Sequence, residues 1–357
     1  MTAWARWARP ETRTLLSRTP IAVLMGGTSA ERGVSLTSGG AMVEALRAPA
    51  GPSKDVAPPT TTVEIEPGGA WSVDGRSLSP LEALQALPQD AVFLLALHGG
   101  AGEDGRVQAF LELSGRRSTG AGPQTSALCM DKHRSRLVAA DAGVAVAPAA
   151  FAPRAAIERD REAALTRFRS VPGPIRFAKH SAAGSSFGVH RCDGDAPLAA
   201  AVDAIVADGG DVLVEAEVRG LETTCGLIGD GAAAAALPVV EIEPADGTYF
   251  DYEQKYAAEG GARETCPPAR LPAAVQTRIQ ERARTAWESF GGTGYARIDF
   301  IVPATSGGAI DDSAEPILLE ANTLPGFTPR SLLPLAAEVD GVGFRELCLE
   351  LVARALG

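Results

Sequence analysis

The 357-residue sequence is poor in the residues that build metal clusters and disulfide frameworks. It has five cysteines and four histidines, and the cysteines are odd in number, far apart and without a CxxC pair. This pattern argues against a zinc site and against a disulfide-stabilised scaffold. We expect isolated thiols in a reducing compartment, and the dispersed histidines indicate no His-based metal site.

Two further absences narrow the class of protein. No apolar run approaches the roughly 20 residues of a membrane span, and residues 1–20 have no sustained apolar core of the kind found in signal peptides. We therefore expect a cytoplasmic protein without a membrane partner. A net charge of −11 argues against nucleic acid as a partner, although a local cluster of basic residues can still hold a small anion.

The sequence does contain a strand–helix–strand rhythm. Ile21–Met25 and Ala91–Leu97 are apolar runs that end at glycine turns, and Ser35–Arg47 between them has a helical pattern. Buried strands alternating with helices are typical of a parallel sheet, whose ligands bind at the carboxyl ends of the strands. We predict an α/β fold in which residues 21–125 form an N-terminal substrate-binding domain.

The length of the chain predicts two or three domains. Residues 126–215 are predicted to form a central domain and residues 216–357 a C-terminal domain. A loosely ordered extension over residues 1–20 is expected to precede them. The other predicted helices cover residues 81–87, 132–142, 157–168 and 274–290, and the other strands 62–65, 144–151, 175–179, 211–217, 221–226, 239–242, 295–302 and 317–320.

Three oxygen-bearing side chains in the last third are candidate metal ligands. Glu320 and Asn322 are two residues apart in a strand pattern, so both side chains point to one face. If Asp299 lies on the adjacent antiparallel strand, it joins them, and nucleotide phosphates would complete a Mg²⁺ site. The alternative is a solvated strand end. Arg297 shares the face of Asp299, where it either stabilises an oxyanion or forms a salt bridge.

A lysine followed by a Gly/Ser loop is the candidate phosphate site. Lys179 ends a predicted strand, and Gly184-Ser185-Ser186-Phe187-Gly188 follows it. Such a loop exposes backbone N–H groups and hydroxyls to phosphate oxygens. There is no Walker P-loop motif in the chain, and a surface Gly/Ser turn is the alternative interpretation of these residues alone.

Taken in order, the motifs resemble those of the D-alanine–D-alanine ligases of the ATP-grasp superfamily. The resemblance spans residues 21–357 and implies a three-domain ATP-grasp architecture, with an N-terminal parallel α/β domain and two α+β domains that clasp ATP. The matching segments are Gly26-Gly27-Thr28-Ser29-Ala30-Glu31-Arg32, Leu97-His98-Gly99, Gly102-Glu103-Asp104-Gly105, Met130-Asp131-Lys132, Lys179 with the Gly/Ser loop, residues 251–256, Arg297-Ile298-Asp299, residues 320–326 and Ser331-Leu332.

The resemblance implies residues for the two amino acids and for the chemical step. The substrate-binding residues would be Glu31 and His98 for the first amino acid, and Ser331 and Leu332 for the carboxylate of the second. The catalytic residues would be Glu31, Ser185, Tyr256, Arg297 and Gly326, with the last two forming an oxyanion hole. The segment from Pro244 to Glu259 is the predicted lid.

The resemblance also implies ATP and two Mg²⁺ ions, for which Mn²⁺ can substitute. The ATP-binding residues would be Lys132, Lys179, Ser185, Ser186, Glu215, Val218, Glu222 and Lys255, and the metal ligands Asp299, Glu320 and Asn322. From the sequence alone, Glu215 and Glu222 are equally well explained as exposed carboxylates.

The implied activity is ligation of two D-alanine molecules through an acyl-phosphate, for peptidoglycan precursor synthesis, by a homodimer. Two positions depart from the family pattern. His180 stands where the family usually has proline, and Gly33 stands where it usually has glutamate, beside the first-substrate loop. A related ligase of specialised metabolism or antibiotic resistance, joining other amino acids, is therefore one alternative. A non-catalytic ATP-binding protein is another, although the intact set of site residues argues against it.

Overall fold

The computed structural model describes residues 2–48, 57–182, 188–243 and 263–357. Strands within these ranges form a six-stranded N-terminal sheet, a four-stranded central sheet and a six-stranded C-terminal sheet. Pairing is parallel at the centre of the first sheet and antiparallel in the other two. The predicted α/β class, with a parallel α/β unit at the N-terminus followed by two α+β units, is confirmed.

The N-terminal sheet has the strand order β4-β3-β2-β1-β5-β6. Its strands are β1 (Ile21–Gly26), β2 (Thr60–Ile65), β3 (Trp71–Val73), β4 (Arg76–Leu78), β5 (Val92–Leu95) and β6 (Arg117–Ser118). The accompanying helices are α1 (Pro10–Leu16), α2 (Arg32–Arg47), α3 (Pro80–Ala86), α4 (Gly100–Glu103), α5 (Arg106–Leu113) and α6 (Pro123–Met130). Because β1 and β5 are parallel neighbours, the glycine turns that follow them meet at one edge of the sheet.

The central sheet has the order β7-β10-β8-β9. Its strands are β7 (Ala149–Ala152), β8 (Ile175–His180), β9 (Val189–Asp193) and β10 (Val212–Ala216), and its helices are α7 (Lys132–Asp141), α8 (Arg154–Arg159), α9 (Arg161–Arg169) and α10 (Asp195–Ala207). The single helix predicted over 157–168 is wrong. Asp160 has non-helical dihedrals and its side chain accepts a hydrogen bond from the Ala163 N–H, so it ends α8 and caps α9.

The C-terminal sheet has the order β14-β13-β11-β15-β16, with β12 paired to β11. Its strands are β11 (Gly220–Ile228), β12 (Ala235–Ala236), β13 (Val240–Glu243), β14 (Arg263–Thr265), β15 (Tyr295–Pro303) and β16 (Ile317–Asn322). The helices are α11 (Ala273–Ser289), α12 (Leu332–Val339) and α13 (Phe344–Leu356), and short 3₁₀ turns lie at Arg6–Ala8 and Gly231–Ala233. No helix in the described ranges combines the length and the apolar character that crossing a membrane requires.

The N-terminal segment is more ordered than the sequence predicts. Trp4 donates its indole N–H to Asp340 at 2.7 Å, and the backbone N–H of Trp7 donates to the buried carboxylate of Glu350 at 2.8 Å. Leu16, at the end of α1, belongs to the main hydrophobic core. The expectation of loose order is therefore wrong for the described part of this segment, because contacts with α13 and the turn before it hold the segment in place.

Two adjacent glycines of α2 differ in what surrounds them, which gives a matched test of the packing. A Cβ added at Gly39 would lie 2.6 Å from the Cβ of Met25, whereas one at Gly40 would meet nothing within 4 Å. Gly40→Ala should raise the free energy of unfolding by about 0.5–1 kcal/mol through helix propensity. Gly39→Ala should lower it by about 1–3 kcal/mol because α2 is forced away from β1. Chemical denaturation of both variants checks the pair, and equal effects would contradict it.

Candidate active site

The two glycine turns of the N-terminal sheet lie against each other. Ser29, in the turn after β1, donates its hydroxyl to the carbonyl of His98, in the turn after β5, at 2.7 Å. Gly99 has a φ of +63°, and a Cβ there would lie only 2.1 Å from a carboxylate oxygen of Glu31. Only glycine permits this approach, so the turn after β5 packs directly on the carboxylate of the first-substrate loop.

His98 connects the N-terminal sheet to the C-terminal unit. It is buried, its Nδ1 lies 2.9 Å from the carbonyl oxygen of Leu324, and its Nε2 lies 3.0 Å from the hydroxyl of Ser38. Burial lowers the pKa of His98 to about 4; the Leu324 bond raises the pKa and Arg297 lowers it. A carbonyl can only accept, so we assign the ring proton to Nδ1 and an accepting role to Nε2.

The three candidate metal ligands converge on neighbouring antiparallel strands, as the sequence predicts. Asp299 of β15 pairs with Glu320 of β16, and Arg297 pairs with Asn322. The Asn322 amide donates to Asp299 at 3.0 Å and to Glu320 at 3.5 Å. Arg297 donates two parallel bonds of 2.8 Å to the carboxylate of Asp299. Arg297 thus forms the salt bridge that the sequence allows, and its position beside the candidate metal ligands also leaves it available to stabilise an oxyanion.

A residue that the sequence analysis did not single out completes the surroundings of Asp299. Thr224 of β11 donates its hydroxyl to Asp299 at 2.6 Å, and both side chains are buried. The two residues face each other in the β11–β15 register. Sequence alone does not give that register, although an internal threonine in a predicted strand is a signal for such a partner.

The two predicted phosphate lysines are each paired with a carboxylate of the candidate site. Lys132, the first residue of α7, lies 3.3 Å from Glu320, and Lys179 of β8 lies 2.7 Å from Glu215 of β10. Burial by itself lowers the pKa of Lys179, but the neighbouring carboxylates, Glu215 first, outweigh it and the pKa is raised. Lys179 is therefore positively charged at neutral pH.

The candidate adenine and ribose residues lie beside this pair. Glu215 is buried and also pairs with Arg136 at 3.4 Å. Val218 lies in the short connection between β10 and β11. Glu222, on β11, is close enough to contribute to the raised pKa of Lys179. Glu215 and Glu222 thus lie close to Lys179, and Val218 follows shortly after the strand of Glu215.

The candidate residues for the second amino acid lie after β16. Ser331 precedes α12, and its hydroxyl accepts a hydrogen bond from the Thr328 N–H at 3.0 Å. A Cβ at Gly326 would lie 3.4 Å from that hydroxyl, and Leu332 is buried at the first position of α12. Gly326, Ser331 and Leu332 therefore form one turn at the amino end of this helix.

Some predicted residues cannot be placed in this arrangement. Ser185, Ser186, Lys255, Tyr256 and the whole of the predicted lid, residues 244–259, lie outside the described residues. Their roles stay predictions from the resemblance.

Comparison with known proteins identifies the family of this chain. The family model described as the D-ala D-ala ligase C-terminus matches residues 138–353, more than half of the chain. The chain belongs to the D-alanine–D-alanine ligase family. The resemblance seen in the sequence is therefore confirmed, and with it the assignment to an ATP-dependent ligase of the ATP-grasp fold.

Relatives match the ligase over nearly its whole length. It is 36% identical to a D-alanine–D-alanine ligase of Nitrosomonas europaea over 335 residues, which is 93% of this chain and 95% of that protein. Its fold matches the crystal structure of the VanG D-Ala:D-Ser ligase from Enterococcus faecalis with a TM-score of 0.74 and 28% identity, covering 95% of this chain and 99% of that one. It matches the D-alanine–D-alanine ligase of Coxiella burnetii with the same TM-score and 25% identity, covering 95% of this chain and 94% of that one.

Proposed function

We propose that the protein ligates two D-alanine molecules to D-alanyl-D-alanine, with ATP as the energy source, for peptidoglycan precursor synthesis. The observation that carries the proposal is the 2.9 Å contact between His98 and the Leu324 carbonyl. It joins the turn after β5, which packs on the carboxylate of Glu31, to the segment between the candidate metal ligands and Ser331, and this supports a shared site for the two amino acids. The names of the full-length relatives support D-alanine as the substrate.

ATP is proposed to bind between the central and C-terminal sheets, with its base near Glu215 and Val218 and its ribose near Glu222. Lys132 and Lys179 would contact the phosphates. The predicted boundaries at residues 20, 125 and 215 would then separate an N-terminal extension, a domain for the first amino acid and two domains that hold the nucleotide. We further propose that the protein works in the cytoplasm as a homodimer.

The residues of β15 and β16 fit a pair of Mg²⁺ ions completed by phosphate oxygens. Asp299 and Glu320 offer two carboxylates that both accept from the Asn322 amide, and turning that amide would present its oxygen. No cluster of three His, Cys, Asp or Glu residues that could hold a metal occurs in the described ranges. A site that relies on substrate phosphates is typical of Mg²⁺, which when bound neutralises charge on the transferring phosphoryl group.

In the first step, the carboxylate of the first D-alanine attacks the γ-phosphorus of ATP, giving an acyl-phosphate and ADP. Glu31 would hold the ammonium group of that D-alanine, and His98, neutral at physiological pH, would orient it. Lys132 and Lys179 would hold the phosphates in line with the attack. Positioning and charge stabilisation supply most of the catalysis in such transfers.

In the second step, the amine of the second D-alanine attacks the acyl carbonyl, and phosphate leaves as the peptide bond forms. Ser331 and Leu332 would hold the carboxylate of that D-alanine at the amino end of α12. The Arg297 guanidinium and the Gly326 N–H would stabilise the oxyanion of the tetrahedral intermediate. Water must be excluded because it hydrolyses an acyl-phosphate, and we propose that the segment over 244–259 closes the site.

The two departures from the family pattern leave room for this reaction. A Cβ at Gly33 would meet nothing within 4 Å. The first atom of a side chain at this position would therefore contact no described residue beyond its own turns of α2. His180 packs over Gly210, and its Nδ1 accepts a hydrogen bond from the Ala182 N–H at 3.0 Å. We propose that His180 fixes the start of the phosphate loop in place of the usual proline.

An amino-acid panel tests the proposal. ADP release is measured with ATP, Mg²⁺ and D- or L-amino acids, singly and in pairs, and dipeptides are identified by mass spectrometry. We expect ADP release with D-alanine alone and D-alanyl-D-alanine as the main product. A preferred pair containing D-serine or another amino acid would overturn D-alanine as the second substrate, and absence of amino-acid-dependent ADP release would overturn the ligase activity.

A further inference from the structure

Glu103 is a carboxylate of the first-substrate region to which the reaction described above gives no role. It ends α4, and it accepts a hydrogen bond of 3.0 Å from the backbone N–H of Gly99. Gly99 is the residue whose α-carbon packs on the carboxylate of Glu31. Gly99 therefore lies between two carboxylates, with Glu103 on its N–H and Glu31 against its α-carbon.

Glu103 is close enough to the candidate site for the charges of Glu31, Glu320 and Lys132 to act on its pKa. Burial, followed by the charge of Glu31, raises the pKa of Glu103 to about 7, and the hydrogen bond from Gly99 acts in the opposite direction. The other charged or titratable groups that act on Glu103 or are acted on by it are Glu320, Lys132, Cys129 and Tyr295. Burial raises the pKa values of Cys129 and Tyr295, so both stay neutral near pH 7.

We propose that Glu103 is a positioning residue for the first amino acid, because it holds Gly99 against Glu31 and adds a second negative charge to the ammonium subsite. The inference rests on the proposed function, which places that ammonium group at Glu31. Two carboxylates this close repel each other in the empty site, and a bound cation relieves the repulsion. Binding of the ammonium group thus favours the ionised form of Glu103, whose proton leaves to solvent.

Two variants separate the hydrogen bond from the charge. Glu103→Gln keeps an oxygen that can accept from the Gly99 N–H but removes the charge, whereas Glu103→Ala removes both. Glu112→Gln makes the same chemical change on an exposed residue of α5 and is the matched control. The KM for the first-bound amino acid, kcat and Tm are measured at saturating ATP between about pH 6 and pH 8, where a group with this pKa titrates.

We expect Glu103→Gln to raise the KM for the first amino acid about tenfold, with kcat and Tm close to wild type. The wild-type KM should fall as pH rises through about 7, because ionised Glu103 attracts the ammonium group of the substrate and neutral Glu103 does not, and Glu103→Gln should flatten this dependence. Glu103→Ala should raise KM further and lower kcat, and Glu112→Gln should match wild type.

A wild-type KM and pH dependence in Glu103→Gln would overturn the inference, as would a fall in Tm in both Glu103 variants without any change in KM. The measurement uses whichever amino acid of the panel supports ADP release best. A preference for an amino acid other than D-alanine would overturn the proposed substrate while the Glu103 variants still decide the inference. If no amino acid supports ADP release in the wild type, both proposals fail.

Discussion

Replacing Glu320 by glutamine is expected to lower kcat by about a thousandfold or more, while Tm stays within a few degrees of wild type. Glu320 lies beside Asp299 and Asn322 at the end of β16 and 3.3 Å from Lys132. Glutamine keeps the shape of the side chain but removes the charge that, in the proposed mechanism, would hold Mg²⁺ against the phosphates, a contribution on the order of several kcal/mol to the transition state. ADP release and thermal unfolding measure the two quantities.

The exposed Glu338 of α12 provides the matched control. Glu338→Gln changes the net charge by the same amount without touching the cleft, and it should keep wild-type kcat. A Glu320→Gln enzyme with kcat within about tenfold of wild type would be incompatible with a metal-binding role.

Replacing Arg297 by lysine is expected to reduce kcat by about a hundredfold, and replacing it by alanine by up to about a thousandfold, the range seen when one oxyanion donor is removed. Lysine keeps the charge but cannot make the two parallel bonds that Arg297 makes to Asp299. Because the loss lies in the transition state, kcat and kcat/KM should fall together.

Stability separates this catalytic effect from a folding defect. Asp299 is buried, and in Arg297→Ala it loses its cationic partner and keeps only neutral donors, so the free energy of unfolding is expected to fall by about 3–5 kcal/mol in that variant. Arg297→Lys retains a cation there and should lose less. Wild-type kcat in a stably folded Arg297→Lys enzyme would show that Arg297 serves only as a salt bridge.

The sequence predicts those parts of the site that depend on the alternation of side chains along one strand or on a short motif. Glu320 and Asn322 share a face because a strand alternates, and Asp299 joins them because β15 and β16 pair as expected. The strands that carry Lys179 and Glu215 are likewise predicted from the sequence, close to the bounds that the structure gives them. Local periodicity and short motifs are sufficient for these elements.

Other parts depend on contacts that no local pattern encodes. Trp4 and Trp7 are held by residues more than 330 positions away, so the order of the N-terminal segment was missed. The boundary between α8 and α9 at Asp160 depends on a helix cap, and it falls inside a sequence pattern that predicts one continuous helix. The position of Glu103 against Gly99 depends on the fold of a turn, for which the motif supplies the residues but not the geometry.

The paired charges of the nucleotide cleft have a consequence for how ATP binding responds to salt. Lys132 and Lys179 are each neutralised by a carboxylate of the protein, Glu320 and Glu215. In the proposed complex the ATP phosphates and two Mg²⁺ ions would exchange with these internal counter-ions, and their charges nearly cancel, so the net charge of the site would change little when ATP binds. Because ionic strength acts most strongly on unscreened net charge, the KM for ATP should depend only weakly on salt, unlike that of a site lined by unpaired lysines.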